Sequence, residues 1–514
     1  MRLGPLFGVA PALVLALWMH FKDEAKLGVI VNKPNAFPGY TLIFPLESTT
    51  TYLIDMQGRL TRSWESKYTA GQDAYLLENG HLLRSAKLGT EEAFFAGSGA
   101  GGRIQEFTWD GELVWDFKFH NEKQTQHHAI TRMPNGNVLM IVWERKTTAE
   151  AIEAGLLPEL AGNSDTLVDC LIEVEPTGKT EGRIVWEWHV WDHLIQDYDP
   201  AKANFGEVAA HAELVDVNFG RKGSTFLKIA EFVKASRRDK AGVKRSSENA
   251  GLRKLQGIGY VGAGGGKKFV GFFPDWTHVN AVAYNAELDQ IMLSPRTFNE
   301  IWIIDHSTTP AESAGHTGGR SGRGGDLLYR WGNPQAHRAG QAEDQRLFAQ
   351  HDAQWIPAGL PGEGRLLVFN NGSDRPGGNY SSVDEIVLPG DLDGDYESDP
   401  ASASRANRPL WSYVAPNKLD FFAPHMSGAQ RLPNGDTLIC TGFGGSVFEV
   451  TAEKEIVWKY INPAKAEPSP DGTEGGAIFR AYRYARGYPG LAGKDLRPGP
   501  TIEELESHHL DRTR

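Results

Sequence analysis

The sequence predicts an all-β chain closed into a six-bladed β-propeller, and three observations carry that prediction. A strand–turn–strand pattern whose second run ends in an aromatic residue recurs six times. A different hairpin, led by histidine or a stand-in, precedes five of these copies. A strand-like run at 477–484, AIFRAYRY, is left over to complete the first unit. Two hairpins make a four-stranded sheet that cannot bury its faces alone, and radial stacking of such sheets solves that problem. A β-sandwich or a pair of stacked β domains is the alternative, and it accounts less well for the regular alternation.

The chain opens with MRLGPLFGVAPALVLALWMH, in which Arg2 precedes a mostly apolar run. Residues 1–20 are expected to be a signal peptide or a membrane anchor through 4–19, which implies export to a periplasmic or membrane-anchored position. The aromatic-ending pattern then reads TTYLIDMQGRLTRSWE (50–65), RIQEFTWDGELVWDFKF (103–119) and CLIEVEPTGKTEGRIVWEWHV (170–190). It returns within 300–334, 383–416 and 446–460. Each half alternates apolar and polar residues, the period of a strand packed on one face, and the Gly-containing turns suit hairpins. The propeller is expected to occupy 40–490, with 491–514 a polar tail. Insertions interrupt it: a helical stretch at 148–160, a long insertion at 196–275 with a basic Gly-rich part, and a Gly/Ser/Arg loop at 311–325. The segment GAGGGKK lacks phosphate-loop spacing, and DLDGDYESD (391–399) lacks the closing Glu of a calcium loop.

A net charge of −12 without a long basic run argues against nucleic acid as a partner. Cys170 and Cys440 each sit in an apolar run and read as buried thiols, a disulfide across neighbouring strands being the other option. Trp186, Trp188, Trp331, Trp411 and Trp458 recur at matching positions and read as packing between blades. Trp276 and Trp355 are the candidates for stacking on an aromatic ligand.

The leading hairpins carry the chemistry. His128 leads HHAITRMPNGNVLMIVWE, His278 leads HVNAVAYNAELDQIMLSPR, and His351 leads HDAQWIPAGLPGEGRLLVFNNGSDR. His425 leads HMSGAQRLPNGDTLICTGFGG two residues early, so that Ser427 takes the aligned place, and Gln72 leads the earliest copy. If these hairpins supply the strand lining the channel, the histidines face a common mouth. The following runs end in Arg145, Arg296 and Arg375, which return to the same end. Guanidinium groups match sulfate, phosphate or carboxylate, and neutral imidazole acts as nucleophile, base or acid near neutral pH.

The motifs HHAI, DWTHVN, QHD, FNNGSDR, SGAQRLPNGDTLI and FEV…IVW, in this order over most of 40–465, resemble the bacterial arylsulfate sulfotransferases. The resemblance implies transfer of a sulfuryl group from a phenolic sulfate ester to a phenol acceptor. It implies a ping-pong route through a sulfohistidine, independent of a nucleotide donor; no cofactor is expected, and the lack of a CxxC or Cys/His zinc pattern argues against a structural zinc site. It assigns His278 and His351 as channel histidines, Arg375 as the sulfate-binding arginine, His425 as nucleophile and His128 as a ligand to donor oxygens, while Arg296 is a substrate-binding candidate from its place at the end of a run alone. The chain departs from better-known members in that residues 20–48 are too few for a β-sandwich and its two cysteines lie far apart. A binding propeller without catalysis and a His-ligated metal-dependent lyase or hydrolase are the competing readings, and no oligomeric state is implied.

Overall fold

The computed structural model describes residues 27–88, 94–96, 99–162, 164–220, 269–272, 275–389, 396, 408–464 and 476–506. The leader at 1–20, the basic Gly-rich part of the insertion and nearly all of 391–399 lie outside them.

The strands form a six-bladed β-propeller. Blade two runs outward through Ala70–Leu76, Leu82–Lys87, Gly102–Phe107 and Leu113–Lys118. Blade three uses Gln124–Arg132, Val138–Lys146, Thr166–Pro176 and Gly182–His189. Blade four uses Val279–Asn285, Gln290–Pro295, Ile301–Asp305 and Leu327–Trp331. Blade five uses His351–Trp355, Leu366–Asn370, Ser382–Ile386 and Trp411–Tyr413. In blade one the innermost strand is the C-terminal Ile478–Ala485, paired with Gly39–Pro45, as the leftover run required. Blade six, from Gly428–Arg431 to Ile456–Ile461, gains an outer fifth strand from Gly28–Asn32, so the ring begins earlier than residue 40. Strands Gly28–Asn32 and Ile478–Ala485 therefore tie blades six and one together at the seam.

The recurring tryptophans have a specific task. Trp64 of blade one donates its indole N–H to the Thr108 carbonyl of blade two, at 3.0 Å. Trp115 does the same to Glu181 of blade three, and Trp186 to the Thr308 hydroxyl of blade four. Trp411 reaches Ala452 of blade six, and Trp458 reaches Met56 of blade one. A buried indole needs an acceptor, and the outer turn of the next blade supplies it. Opposite four of these tryptophans stands a buried glutamate: Glu106, Glu173, Glu385 and Glu449. Three of them receive an arginine from the inner strand of the following blade, in the pairs Glu106–Arg132, Glu385–Arg431 and Glu449–Arg483.

The predicted helical stretch forms a helix, Thr148–Glu153, opened by a Thr147/Glu150 capping box, followed by Pro158–Ala161. Cys170 and Cys440 are free, buried thiols on blades three and six.

Candidate functional site

The inner strands do not run straight. Register slips between Ala70 and Ala74, Gln126 and Ile130, Val279 and Val282, and His351 and Gln354. At these slips, or just before them, His128, His278 and Asp352 have left-handed backbone, with φ of 47°, 51° and 55°. Met426 and Ser427, leading blade six, have it too. Such conformations cost about 1–3 kcal/mol each in a non-glycine residue and collect at functional sites. A bulge re-aims a side chain, and here the side chains re-aimed are those of the leading positions.

They meet. The rings of His128 and His278 lie 4.9 Å apart, and Phe479 packs 5.9 Å from His128 and 6.2 Å from His351. His128 and His351 are fully buried, His278 nearly so, and His425 stands at a partly exposed rim. Burial, then His278, His127, His351 and Arg480, hold His128 well below the usual imidazole range. Burial, then Arg296, with His278 and His425, do so for His351. His425 falls to about 3, from burial, Arg296 and His278. These three rings are neutral at neutral pH.

Each ring is oriented. His351 Nδ1 lies 2.7 Å from Asn371 Oδ1. His278 Nδ1 lies 2.7 Å from Asp275 Oδ2, and Asp275 Oδ1 accepts from the Trp143 indole. His127 Nε2 lies 2.7 Å from Asp169, its ring stacks on Trp143 at 4.0 Å, and its Nδ1 meets His128 Nδ1 at 2.8 Å. With the Nε2 proton of His127 facing Asp169, its Nδ1 accepts from His128, and His128 Nε2 keeps the lone pair. Asp169 is itself fixed by Thr277 Oγ1 and the Val279 N–H of blade four. Gly99 lies flat on the His128 ring, where a Cβ would come within 2.2 Å.

Near His128 one cation joins the inner strands of four blades. Arg480 donates to Asp73 and to the Asn280 carbonyl, and its Nε lies 3.2 Å from Asp352. Burial opposes its charge, but Asp352 and Asp73 outweigh burial and hold Arg480 well above the usual arginine range. Arg480 thus adds a fixed cation close to His128. Around them, the Gln72 amide, His128 Nε2 and Asn280 Oδ1 are buried polar atoms without a hydrogen-bond partner among the described residues. Orphaned groups at this density call for a polar ligand or water.

Several sequence expectations change here. Arg296, whose N–H donates to the His278 carbonyl, is the guanidinium that acts on both His351 and His425. Arg375 instead donates to Ser382 Oγ and lies over the rings of Tyr380 and Phe348. Arg145 pairs with Asp165. Trp276 is a core residue: its indole donates to Phe219 O and its ring packs on Phe298. Trp355 is buried in the apolar cluster of blades four and five. The sequence reading passed over His127, Asp169, Asp275, Asn371 and Arg480. The doubled HH, the Asp three residues before His278 and the doubled Asn after blade five's second strand were the available signals.

A family model described as arylsulfotransferase (ASST) matches residues 30–471. The chain is 27% identical over 422 residues to an arylsulfate sulfotransferase AssT of Lelliottia amnigena, covering 78% of this chain and 58% of the relative. It is 24% identical over 417 residues to the arylsulfate sulfotransferase AssT of Escherichia coli O6:H1 (strain CFT073), covering 77% and 58%. The chain thus spans under two thirds of the length of these curated relatives. Among solved structures, a Bacteroides caccae protein of unknown function aligns at 10% identity and a TM-score of 0.42, over 87% of this chain and 98% of that one.

Proposed function

Because the chain belongs to the arylsulfotransferase family, we propose that its axial site moves a sulfuryl group from a phenolic sulfate ester to a phenol acceptor. The route runs through a sulfohistidine and needs no nucleotide donor. The observation that carries this reading is the set of neutral imidazoles gathered beside fixed guanidinium groups, His351 and His425 with Arg296 and His128 with Arg480.

We assign the nucleophile to His351 in place of His425. Asn371 donates through Nδ2 to the carbonyls of Ala423 and Met426, at 2.6 and 3.0 Å. Its Oδ1 must therefore face His351, whose Nδ1 must carry the proton. Nε2 is left as the attacking atom. It forms the N–S bond as the ester S–O bond breaks, and the phenolate leaves with that electron pair. The Nδ1 proton stays, so the intermediate is an imidazolium whose N–S bond an acceptor can break. The acceptor oxygen then attacks sulfur, the N–S pair returns to Nε2, and the acceptor's proton is released to solvent at the rim beside His425, where the departed phenolate takes one up in exchange. Arg296, His128 and His278 supply the fixed environment for the sulfuryl oxygens, an arrangement that carries much of the rate in such transfers.

The apolar run at 4–19 supports export as part of the same reading. The test uses an aryl sulfate that releases a coloured phenol, a second phenol and EDTA. Acceptor-dependent colour is expected, with one sulfuryl group on the His351 peptide when the acceptor is omitted. A His351→Ala protein that transfers at the wild-type rate sinks the assignment, and no release at all sinks the activity.

A further inference from the structure

We propose that His193, His316 and Asp326 hold a divalent transition-metal ion, zinc being the best match, which clips blade three to blade four. His193 ends the short turn Val190–His193 that follows the outer strand of blade three. His316 and Asp326 lie in the connection between the third and fourth strands of blade four. These three residues follow or connect outer strands, whereas the axial histidines lead the inner ones.

The argument is one of lone pairs. His193 is fully buried, and its Nε2 lies 2.9 Å from the Ser313 carbonyl oxygen. A carbonyl only accepts, so Nε2 carries the proton and the neutral ring presents a lone pair at Nδ1. That Nδ1 lies 2.8 Å from Asp326 Oδ1, which is also an acceptor. His316 Nδ1 points to the same oxygen, again at 2.8 Å. One ligand atom from each residue lies within 4.8 Å of the others. Either a proton or a metal cation must stand among them.

The surroundings favour the metal. A ring N–H donated to a backbone carbonyl is how metal-binding histidines are oriented. Trp188 stacks on His193 at an interplanar angle of 10°, and its indole donates to the Gly325 carbonyl at 2.7 Å, so the ring is clamped. Gly325, next to Asp326, has no room for a side chain: a Cβ there would lie 2.0 Å from the Ser313 oxygen and 2.6 Å from His193 Nε2. The connection is drawn tight on the two buried ligands. His316 is exposed, which leaves an entry path and a place for a solvent ligand. Two imidazoles and a carboxylate with an open position suit zinc. A second cluster, Glu144–Cys170–His189, lacks this logic, because the Lys146 ammonium already sits 2.8 Å from Glu144 Oε2.

The full chain, stripped with EDTA and dialysed, would be titrated with zinc chloride by calorimetry and followed by thermal melting. One ion per chain and a raised Tm are expected. His316→Ala, at an exposed position that spares the fold, should weaken that binding by about tenfold or more and abolish the Tm shift. Asp326→Asn should do likewise. Unchanged one-ion binding in His316→Ala would place the ion elsewhere, and no zinc effect on the wild-type melt would mean that a proton fills the site; either result overturns the proposal.

Discussion

Asn371 Oδ1 sits 2.7 Å from His351 Nδ1 and cannot turn away, because the other end of the amide is held by Ala423 and Met426. The tautomer of His351 is thereby set by the loop that carries His425. Asn371→Ala leaves only the more distant Ala349 carbonyl, 3.2 Å from Nδ1, to hold that tautomer, and leaves two carbonyls short of a donor. The expected result is a fall in kcat of about 10²–10⁴-fold, by analogy with tautomer loss in a hydrolase triad, with a much smaller change in KM. Stability should drop by about 1–3 kcal/mol. Equal losses in kcat and in folded fraction would reduce Asn371 to a structural role.

The neutral histidines give the site a pH signature. The unfolded chain protonates its imidazoles below about 6.5, whereas His128, His351 and His425 resist protonation in the folded state. The unfolded state then binds more protons, so unfolding free energy falls as pH falls, by about 1.4 kcal/mol per pH unit for each such imidazole. Asp73 acts in the opposite sense. Burial raises it to about 6, and its contribution is fully present below the unfolded carboxyl value and lost as pH rises through about 6. Asp352, Asp216 and Glu449, the last raised to about 7, act in the same sense as Asp73, so the imidazole contribution is read as a difference: in urea titrations the wild type should lose more stability between about pH 7 and pH 5 than His425→Gln does. Transfer activity should not show an acid limb at the ordinary imidazole value, since His351 stays neutral there. A limb centred near that value would remove His351 as nucleophile.

The fold was legible because a blade repeats its alternation, and the leading histidines were legible because they repeat with it. What did not show was rotation about the strand. Arg296 and Arg375 both end the second strand of a blade or follow it, and nothing in the spacing says which one turns to the axis. Trp276 lies two residues from His278, and the left-handed kink at His278 separates them, sending the indole to Phe219 and the imidazole to Asp275. The Asp169–His127 contact joins residues 42 positions apart in two strands of one blade, a distance across which sequence carries no local signal.

Arg296 and Arg375 separate cleanly in kinetics. Arg296 acts on His351 and His425, so Arg296→Met should lower kcat/KM for the aryl sulfate by about 10²–10³-fold, the loss typical of a fixed oxyanion donor. Arg375 lies over Tyr380 and bonds Ser382. Arg375→Met should change kcat/KM by less than about tenfold. The reverse order of effects would restore Arg375 as the sulfuryl-binding residue.

Trp276 tests core against ligand platform. It is buried among Phe298, Trp302 and Val279. Trp276→Ala should cost about 3–5 kcal/mol of stability through the cavity it leaves, visible as a lower urea midpoint. Trp276→Phe keeps most of the volume and should keep the ranking of aryl donors. A changed donor ranking at unchanged stability would put the ring back in the site.

The seam between the last and first blades rests on Glu449 and Arg483, both with fully buried side chains and paired with each other. Glu449 Oε1 also accepts from the Phe37 N–H, and Arg483 Nε donates to Thr41. The pair therefore ties the N-terminal strands to the C-terminal strand that closes the ring. Two desolvated charges gain little over an apolar pair of the same volume, but one left alone is costly. Glu449→Gln should destabilise the chain by about 3–5 kcal/mol, and Arg483→Met by a similar amount. The double variant Glu449→Leu/Arg483→Met removes both charges and should recover much of that loss, so the two effects will not add. Additive losses in the urea midpoints would mean that the two residues stabilise the seam through separate contacts, Phe37 on one side and Thr41 on the other, and not through their mutual charge.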